Sequence, residues 1–264
     1  MELAQVCNDI IDLARETGAF IRTERERFSL KDIESKGKHN FVTYVDKESE
    51  RLLVNGLRKL VPDSGFIVEE GTSSEKGEIY TWIVDPLDGT TNFIHGAPPY
   101  AISIALKENT EIIAGVVFEV TSNECFYSYK GQGVFLDGKP VKVSQVAKVT
   151  DSLIATGFPY NDFNRIVPFM NSLDYFFNNS HGVRRLGSAA TDLAYVACGR
   201  YDAFYEYNLS PWDVAAGAFL VKQAGGMVSD FRGGDNYLFG KEIVAACNNV
   251  YKEFKDVIGQ FMNI

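Results

Sequence analysis

The sequence predicts a mixed fold of α-helices and β-strands in which two lobes meet near residue 145. Apolar residues recur at helical spacing near the N-terminus, and short runs typical of strands follow between residues 66 and 143. From residue 150 onward, strand-like runs alternate with helical segments. We therefore expect the 264 residues to form a single domain with lobes at residues 1–145 and 146–264.

Two amphipathic helices are expected at the N-terminal end. The first is predicted over residues 3–26, and its apolar stripe consists of Val6, Ile10, Leu13, Ala14 and Ile21. Asp46 can cap the second helix, and Pro62 follows its end. The buried stripe of this second helix is predicted to consist of Leu52, Leu53, Leu57 and Leu60.

Strand-like runs fill the rest of the first lobe. They cover residues 66–68, 80–84, 101–106, 112–120 and 125–129. An Asp137-Gly138 pair between residues 134–136 and 141–143 predicts a hairpin.

The second lobe is predicted to alternate strands and helices. Strands are expected at residues 153–156 and 203–207. Helices are expected at residues 163–177, 188–198 and 214–224, and Gly225-Gly226 is a typical end for the last of them.

The charge balance argues against one class of function. A formal net charge of -9 is opposite to the basic face that a general nucleic-acid binder carries. We therefore expect no nucleic-acid partner.

The compartment is predicted from cysteine usage and from hydrophobic runs. The four cysteines form no CxxC pair, which is typical of reduced thiols in a cytosolic protein; they are Cys7, Cys125, Cys198 and Cys247. The N-terminal residues do not form a signal peptide, because acids interrupt the apolar positions. No apolar run approaches the roughly 20 residues that cross a bilayer. A cytoplasmic protein without membrane insertion is expected.

Two carboxylates follow a buried strand at residues 82–84. Asp85 and Asp88 are separated by a proline turn, so the strand would hold both at its tip. Hard cations such as Mg²⁺ take oxygen ligands, usually one or two carboxylates with water and phosphate. Gly89-Thr90-Thr91 would let backbone N–H groups approach an anion, particularly if a helix begins there. Alternatively, the segment is a polar turn in which an Asp caps a helix.

Two further elements present acids at their ends. Glu69 and Glu70 follow the run at residues 66–68, and Asp213 begins the apolar helix at residues 214–224. Taken alone, Asp213 is more typical of an N-cap and Glu70 of a solvated side chain. Three elements that each present acids at an end predict a shared metal site. The three histidines lack the spacing of a zinc site, so Mg²⁺ is favoured.

The motifs around these acids resemble a known family. WIVDPLDGTTNF, the preceding VEEG and the later WDVAAGAFLVKQAGG resemble the inositol monophosphatase family, which belongs to a Mg-dependent, lithium-sensitive phosphatase superfamily that includes fructose-1,6-bisphosphatase. The resemblance extends over nearly the whole chain, including KGKHNFVTYVDKESE and GVRRLGSAATDLAYVACG. It implies an α+β fold, a layered αβαβα sandwich, and a homodimer. The first lobe would bind metals and the second would face the substrate.

The resemblance also implies ligands for two to three Mg²⁺ ions. Glu69, Asp85 and the carbonyl of Leu87 would bind the first, whereas Asp85, Asp88 and Asp213 would bind the second. A third, weaker ion would lie near Glu69.

Catalytic and substrate-binding roles follow from the same resemblance. Thr90 and Glu69 would orient a metal-bound water for in-line attack, with Asp46 supporting Thr90. The N–H groups of Gly89 and Thr90 would hold the phosphate. The residues implied to contact the polyol are Asp88, Gly187, Ser188, Ala189, Glu206 and Asp213. The mobile lysine of the family would be Lys36 or Lys38, and Asn161 lies where some relatives contact substrate.

These assignments predict a phosphoric monoester hydrolase that acts on a small phosphorylated polyol, with myo-inositol 1-phosphate favoured. Glu206 supports inositol, because a carboxylate suits vicinal hydroxyls and repels a second phosphate. Fructose 1,6-bisphosphate, 3'-phosphoadenosine 5'-phosphate and a phosphorylated inositol lipid headgroup remain alternatives. A hypothesis of another class is a regulatory partner of transcription or RNA complexes.

Overall fold

The computed structural model describes residues 1–29, 33–37, 40–160 and 162–262. Lys38 and Asn161 lie outside these residues, and only the backbone of Lys36 is described. Both candidate lysines and Asn161 therefore keep their predicted roles as predictions.

Two helices cover one face of the molecule. Helix α1 spans Leu3–Arg27, close to its predicted bounds, and α2 spans Tyr44–Leu60. The prediction that Asp46 caps α2 was wrong by three residues. Thr43 is the N-cap, and Asp46 closes a capping box with it. The predicted stripe also needs a correction, because Leu52 is exposed whereas Val54 is buried.

A short hairpin and a seven-stranded sheet follow. The hairpin consists of β1 (Ile33–Gly37) and β2 (Asn40–Thr43). The sheet contains, in spatial order, β3 (Gly65–Val68), β4 (Tyr80–Asp88), β5 (Ala101–Glu108), β6 (Glu111–Glu119), β7 (Glu124–Tyr129), β8 (Val134–Leu136) and β9 (Lys139–Val141). Only β3 and β4 are parallel within it. The hairpin around Gly138 is confirmed, but its second strand begins two residues earlier than predicted.

A five-stranded sheet forms after residue 150. Its spatial order is β11 (Gly182–Arg184), β10 (Leu153–Thr156), β12 (Ala203–Tyr207), β14 (Glu242–Ala246) and β13 (Met227–Ser229). The remaining helices are α3 (Thr90–His95), α4 (Ile166–Asn179), α5 (Ala189–Ala197), α6 (Pro211–Gln223) and α7 (Asn248–Met262). The chain passes from the first sheet to the second between residues 141 and 153, and the division into lobes stays a prediction.

The elements stack in five layers. Helices α1 and α2 pack on one face of the seven-stranded sheet, and α5 and α6 pack on the other. The same two helices contact the five-stranded sheet, whose far face carries α4 and α7. The predicted αβαβα sandwich is confirmed.

Small residues let α6 approach the seven-stranded sheet closely. A Cβ placed on Gly115 of β6 would lie 3.2 Å from the carbonyl oxygen of Ala216. On β5, Ile102 and Ile104 point to the α1–α2 layer, whereas Ala101 and Ala105 lie in the core that includes α6. This close approach brings the N-terminal turn of α6 to the tip of β4.

Two predictions about the whole chain can be compared with the structure. All four cysteines are free, as expected for reduced thiols. Among the described residues, no helix has the length and apolar character needed to cross a bilayer.

Candidate active site

The C-terminal end of β4 carries Asp85 and Asp88. The pairing of β4 with β5 is regular as far as Asp85 and becomes irregular between Asp85 and Asp88. Asp85 is buried, and its Oδ1 accepts a 2.9 Å hydrogen bond from the backbone N–H of Leu87. This hydrogen bond orients the Asp85 side chain.

Asp213 reaches the same point from α6. Its Oδ2 accepts a 2.6 Å hydrogen bond from the N–H of Ser210, which completes a capping box at the start of the helix. Ser103 of β5 fixes this helix end, because its hydroxyl donates to the carbonyl of Trp212 at 3.0 Å. Taken alone, Asp213 was expected to be the N-cap of this helix. The structure places it at the third position of the helix instead, and Ser210 is the N-cap.

Three carboxylates converge at the C-terminal end of β4, and we call Asp85, Asp88 and Asp213 the acidic cluster. One ligand atom from each lies within 4.8 Å of the others. Burial raises the pKa of Asp85 well above its usual range, and the charges of Glu69, Asp88 and Asp213 raise it further. Burial likewise raises the pKa of Asp88 to about 6, and burial together with Asp88 raises that of Asp213 to about 7. Such mutual repulsion is relieved when a cation binds among the oxygens.

A threonine and a buried aspartate lie beside the cluster. The hydroxyl of Thr90 donates to Asp46 Oδ1 at 2.8 Å, and it lies 3.2 Å from the carbonyl oxygen of Leu87. Asp46 Oδ2 accepts from the N–H and the hydroxyl of Thr43, at 2.7 and 2.6 Å. Both oxygens of Asp46 therefore act as acceptors.

The opposite wall of the cleft comes from the second sheet and α5. The hydroxyl of Ser188 donates to Asp88 Oδ2 at 2.6 Å, and the N–H of Ala190 donates to the same atom at 2.7 Å. Asn92 of α3 donates to the carbonyl of Leu186 at 2.8 Å, which ties the loop before α5 to α3. Glu206 of β12 is buried, and burial together with Asp213 and Asp88 raises its pKa well above its usual range.

The acidic cluster, Thr90, Ser188 and Glu206 line one cleft of about 310 Å³. The predicted site residues that line it are Glu69, Asp85, Leu87, Asp88, Gly89, Thr90, Gly187, Ser188, Ala189, Glu206 and Asp213. Asp46 lies behind Thr90 and does not line the cleft. Residues that were predicted from five separate segments are thus brought together, although their individual roles stay predictions.

Comparison with known proteins shows the family to which this chain belongs. The model of the inositol monophosphatase family matches residues 2–260 of this chain. The chain belongs to the inositol monophosphatase family. This family consists of Mg-dependent phosphatases.

Individual relatives agree with this assignment. The chain is 42% identical to the Nus factor SuhB of Pseudomonas aeruginosa over 251 residues, which cover 93% of this chain and 92% of the relative. It is 37% identical to the inositol-1-monophosphatase of Mesorhizobium japonicum, again over 93% of this chain and 92% of the relative.

Solved structures show the same fold. The extragenic suppressor protein suhB of Bartonella henselae superposes with a TM-score of 0.91 at 35% identity, over 96% of this chain and 98% of that one. The IMPase of Thermotoga maritima superposes with a TM-score of 0.87 at 37% identity, over 96% of each chain. The predicted inositol monophosphatase resemblance and fold are confirmed.

The cleft of this inositol monophosphatase family member also contains residues that the sequence analysis did not single out. The guanidinium of Arg185 lies 5.7 Å from the ring centre of Phe158 and 5.8 Å from that of Tyr160, and it donates to the Tyr160 hydroxyl at 2.9 Å. Its charge lowers the pKa of both Asp88 and Glu206 relative to what burial alone would give. An arginine two residues before a glycine has no distinctive spacing, so no sequence pattern pointed to Arg185.

Proposed function

We propose that this protein hydrolyses myo-inositol 1-phosphate to inositol and phosphate, using Mg²⁺ and an attacking water. The observation that carries the proposal is the convergence of Asp85, Asp88 and Asp213 within 4.8 Å, in a cleft that Thr90 and Glu206 also line. The membership of the chain in a phosphatase family supports it.

The acidic cluster fits a Mg²⁺ site. It offers only oxygen ligands, and its carboxylates raise one another's pKa, so bound cations would relieve a repulsion that the fold itself creates. Glu69, Asp85 and the Leu87 carbonyl would hold one ion and Asp85, Asp88 and Asp213 another, with a third near Glu69. When bound there, Mg²⁺ neutralises charge on the phosphate and lowers the pKa of water.

Thr90 and Glu69 would orient the attacking water. Asp46 Oδ1 accepts the hydrogen bond that the Thr90 hydroxyl donates, so the lone pairs of the Thr90 oxygen remain available to accept from water in the cleft. A water that donates to Thr90 and to the Glu69 carboxylate would have a lone pair directed at phosphorus. The N–H groups of Gly89 and Thr90 would hold the phosphate, and positioning of this kind supplies much of the catalysis of phosphoryl transfer.

The second wall would recognise the polyol. Glu206 presents a carboxylate whose acceptor oxygens suit vicinal hydroxyls, and Ser188 and Asp88 are held together by their 2.6 Å hydrogen bond. Gly187 and Ala189 would approach the ring through backbone atoms. A homodimer that acts on a small phosphorylated polyol in the cytoplasm, with Li⁺ as an inhibitor, completes the proposal.

A substrate panel tests the proposal directly. Phosphate release is measured from inositol 1-phosphate, fructose 1,6-bisphosphate, 3'-phosphoadenosine 5'-phosphate, glycerol 2-phosphate and the phosphorylated inositol lipid headgroup, with Mg²⁺ and with EDTA. We expect Mg²⁺-dependent release with a preference for inositol 1-phosphate. Release that is concentrated on another ester would retain the mechanism and reject this substrate, whereas release unaffected by EDTA would reject the metal mechanism.

A regulatory role is the second candidate function. It is supported by the name of two relatives, at 42% and 40% identity, which are both called Nus factor SuhB. The test is affinity capture of transcription complexes with the tagged protein at physiological salt. Retention of a defined partner by a protein with an inactivated acidic cluster would separate this role from catalysis, and failure to retain any partner would count against it.

A further inference from the structure

Helix α2 buries two acidic side chains on the face that packs into the protein. Asp46 and Glu50 are both fully buried, and they lie one helical turn apart on the same face as Leu53 and Leu57. Aspartate and glutamate are almost never fully buried unless they are paired. Asp46 is hydrogen-bonded to Thr43 and Thr90, which explains its burial. The burial of Glu50 requires a separate explanation.

Glu50 binds the backbone of the segment that carries Glu69. Its Oε2 accepts a 2.7 Å hydrogen bond from the N–H of Glu70, and its Oε1 accepts one of 2.7 Å from the N–H of Thr72. Bonds of this kind, from N–H groups to a carboxylate, are roughly twice as strong as those between neutral groups.

Glu69 needs this support because it lies beyond the sheet. The pairing of β3 with β4 ends at Val68 and Val84, so no strand ladder fixes the residues that follow. Gly71 then turns the chain with a φ of +69°. Glu50 supplies the hydrogen bonds on either side of that turn.

We propose that Glu50 is a positioning residue for Glu69, and this inference rests on the proposed metal-dependent function. Helix α2 would then secure both members of the pair that orients water. Asp46 holds the Thr90 side chain directly, and Glu50 holds the backbone that aims the Glu69 carboxylate into the cleft. One rigid element would fix the relative position of two groups that come from separate segments.

The geometry requires a carboxylate with two acceptor oxygens. In Glu50→Gln the side chain keeps its shape, but one of the two N–H donors then faces an amide NH₂ group. That donor loses its partner in a buried place, which is costly. Glu50→Asp keeps both acceptors but shortens the side chain by one methylene group, so the carboxylate cannot reach both donors in the same backbone position.

The test compares Glu50→Gln and Glu50→Asp with Glu48→Gln, a control on the same helix. The Glu48 side chain is 45% exposed and lies 3.3 Å from Arg51 on the surface. Three quantities are measured: amide hydrogen exchange of residues 69–72 in the metal-free protein, the dissociation constant of Mn²⁺ by calorimetry, and kcat and KM for the phosphate ester.

For both Glu50 variants we expect exchange of residues 69–72 to accelerate by about tenfold or more. Loss of a group that orients a metal ligand weakens metal binding by about 10- to 100-fold, so the Mn²⁺ dissociation constant should rise by that factor. The value of kcat should fall while KM changes little, and Glu48→Gln should match the wild type in all three measurements.

Two results would overturn the proposal. One is unchanged exchange of residues 69–72 in a folded Glu50 variant. The other is faster exchange with unchanged Mn²⁺ affinity, which would make Glu50 a stabiliser of the loop only. If Glu50→Gln does not fold, the same measurements on Glu50→Asp test the proposal. Exchange and Mn²⁺ binding do not depend on turnover, so a wild type without phosphatase activity would reject the proposed function and leave this test intact.

Discussion

The hydroxyl of Thr90 donates a 2.8 Å hydrogen bond to Asp46 Oδ1, although the two residues are 44 positions apart in the sequence. Asp46 is fully buried, and burial raises its pKa, yet both of its oxygens accept hydrogen bonds from Thr43 and Thr90. In this hydrogen bond the hydroxyl proton of Thr90 points toward Asp46. This direction of the hydrogen bond leaves the Thr90 oxygen available to accept a hydrogen bond from water.

Removal of the Thr90 hydroxyl should therefore lower turnover. We expect Thr90→Val, which keeps the shape, to reduce kcat by about 10²-fold, with a smaller effect on KM. Thr90→Ser retains the hydroxyl and should retain most of kcat. Steady-state kinetics with saturating Mg²⁺ measure both. Equal losses in the two variants would show that the methyl group, and not the hydroxyl, matters at this position.

Loss of a metal ligand should have a larger effect. Asp85→Asn and Asp213→Asn should each reduce kcat by at least about 10²-fold, because each would remove a charge that holds the cations in the proposed metal site. Neither change should unfold the protein, since both residues lie at the cleft rather than in the apolar core. The control is Asp174→Asn on the exposed surface of α4, which should behave as the wild type. Near-normal turnover in either cluster variant would remove that residue from the metal site.

The acidic cluster could be predicted because each member lies at the end of a clearly apolar element. Asp85 and Asp88 come after the buried run of β4, and Asp213 lies in the first turn of α6, just before its run of small apolar residues. Their convergence was predicted from the idea that a metal needs several acids. The distance of 4.8 Å depends on how closely α6 packs on β5 and β6, which no local pattern specifies.

Other parts of the fold were not predicted. Strands β11 and β13 have three residues each, too few for a periodic pattern. Helix α7, in contrast, repeats Val250, Phe254, Val257 and Ile258 at helical spacing, so the sequence contained the information and the prediction omitted it. The acids at positions 46 and 50 lie on the apolar stripe of α2, and that conflict with the pattern was a usable signal for Glu50.

Glu206 should discriminate between substrates. A lost hydrogen bond to a charged group changes binding by about 1.5–3 kcal/mol, so Glu206→Ala should lower kcat/KM for inositol 1-phosphate by about 10- to 100-fold. A simple aryl phosphate has no vicinal hydroxyls, so its kcat/KM should change little.

A second variant perturbs Glu206 without removing it. A Cβ on Gly157 would come within 2.1 Å of the Glu206 carboxylate, so Gly157→Ala should displace that carboxylate and shift the same substrate ratio in the same direction. The ratio of the two kcat/KM values is the measurement for both variants. If the inositol and aryl esters lose activity equally, Glu206 is not a substrate contact.

Stability should depend on pH and Mg²⁺ together. In the metal-free fold the pKa of Asp88 is about 6 and that of Asp213 about 7, both above the ordinary value of 3.8. The folded protein therefore binds more protons than the unfolded chain in this range. The stabilising contribution of these two groups is fully present below pH about 4 and is lost as pH rises through about 6 to 7. In EDTA, we expect the Tm of the wild type to fall over this range more steeply than that of Asp213→Asn, which has one titrating group fewer.

Mg²⁺ should reverse this loss, because in the proposed site it would bind the deprotonated carboxylates of the fold and not those of the unfolded chain. The increase in Tm on adding Mg²⁺ should thus be larger at pH about 8 than at pH about 5. In Asp213→Asn the increase should be smaller at both values, whereas Asp174→Asn should follow the wild type. Calorimetric scans of the three proteins, with Mg²⁺ or EDTA at the two pH values, measure the six increases in Tm. An increase that is independent of pH would mean that the metal does not bind the groups whose pKa the fold raises.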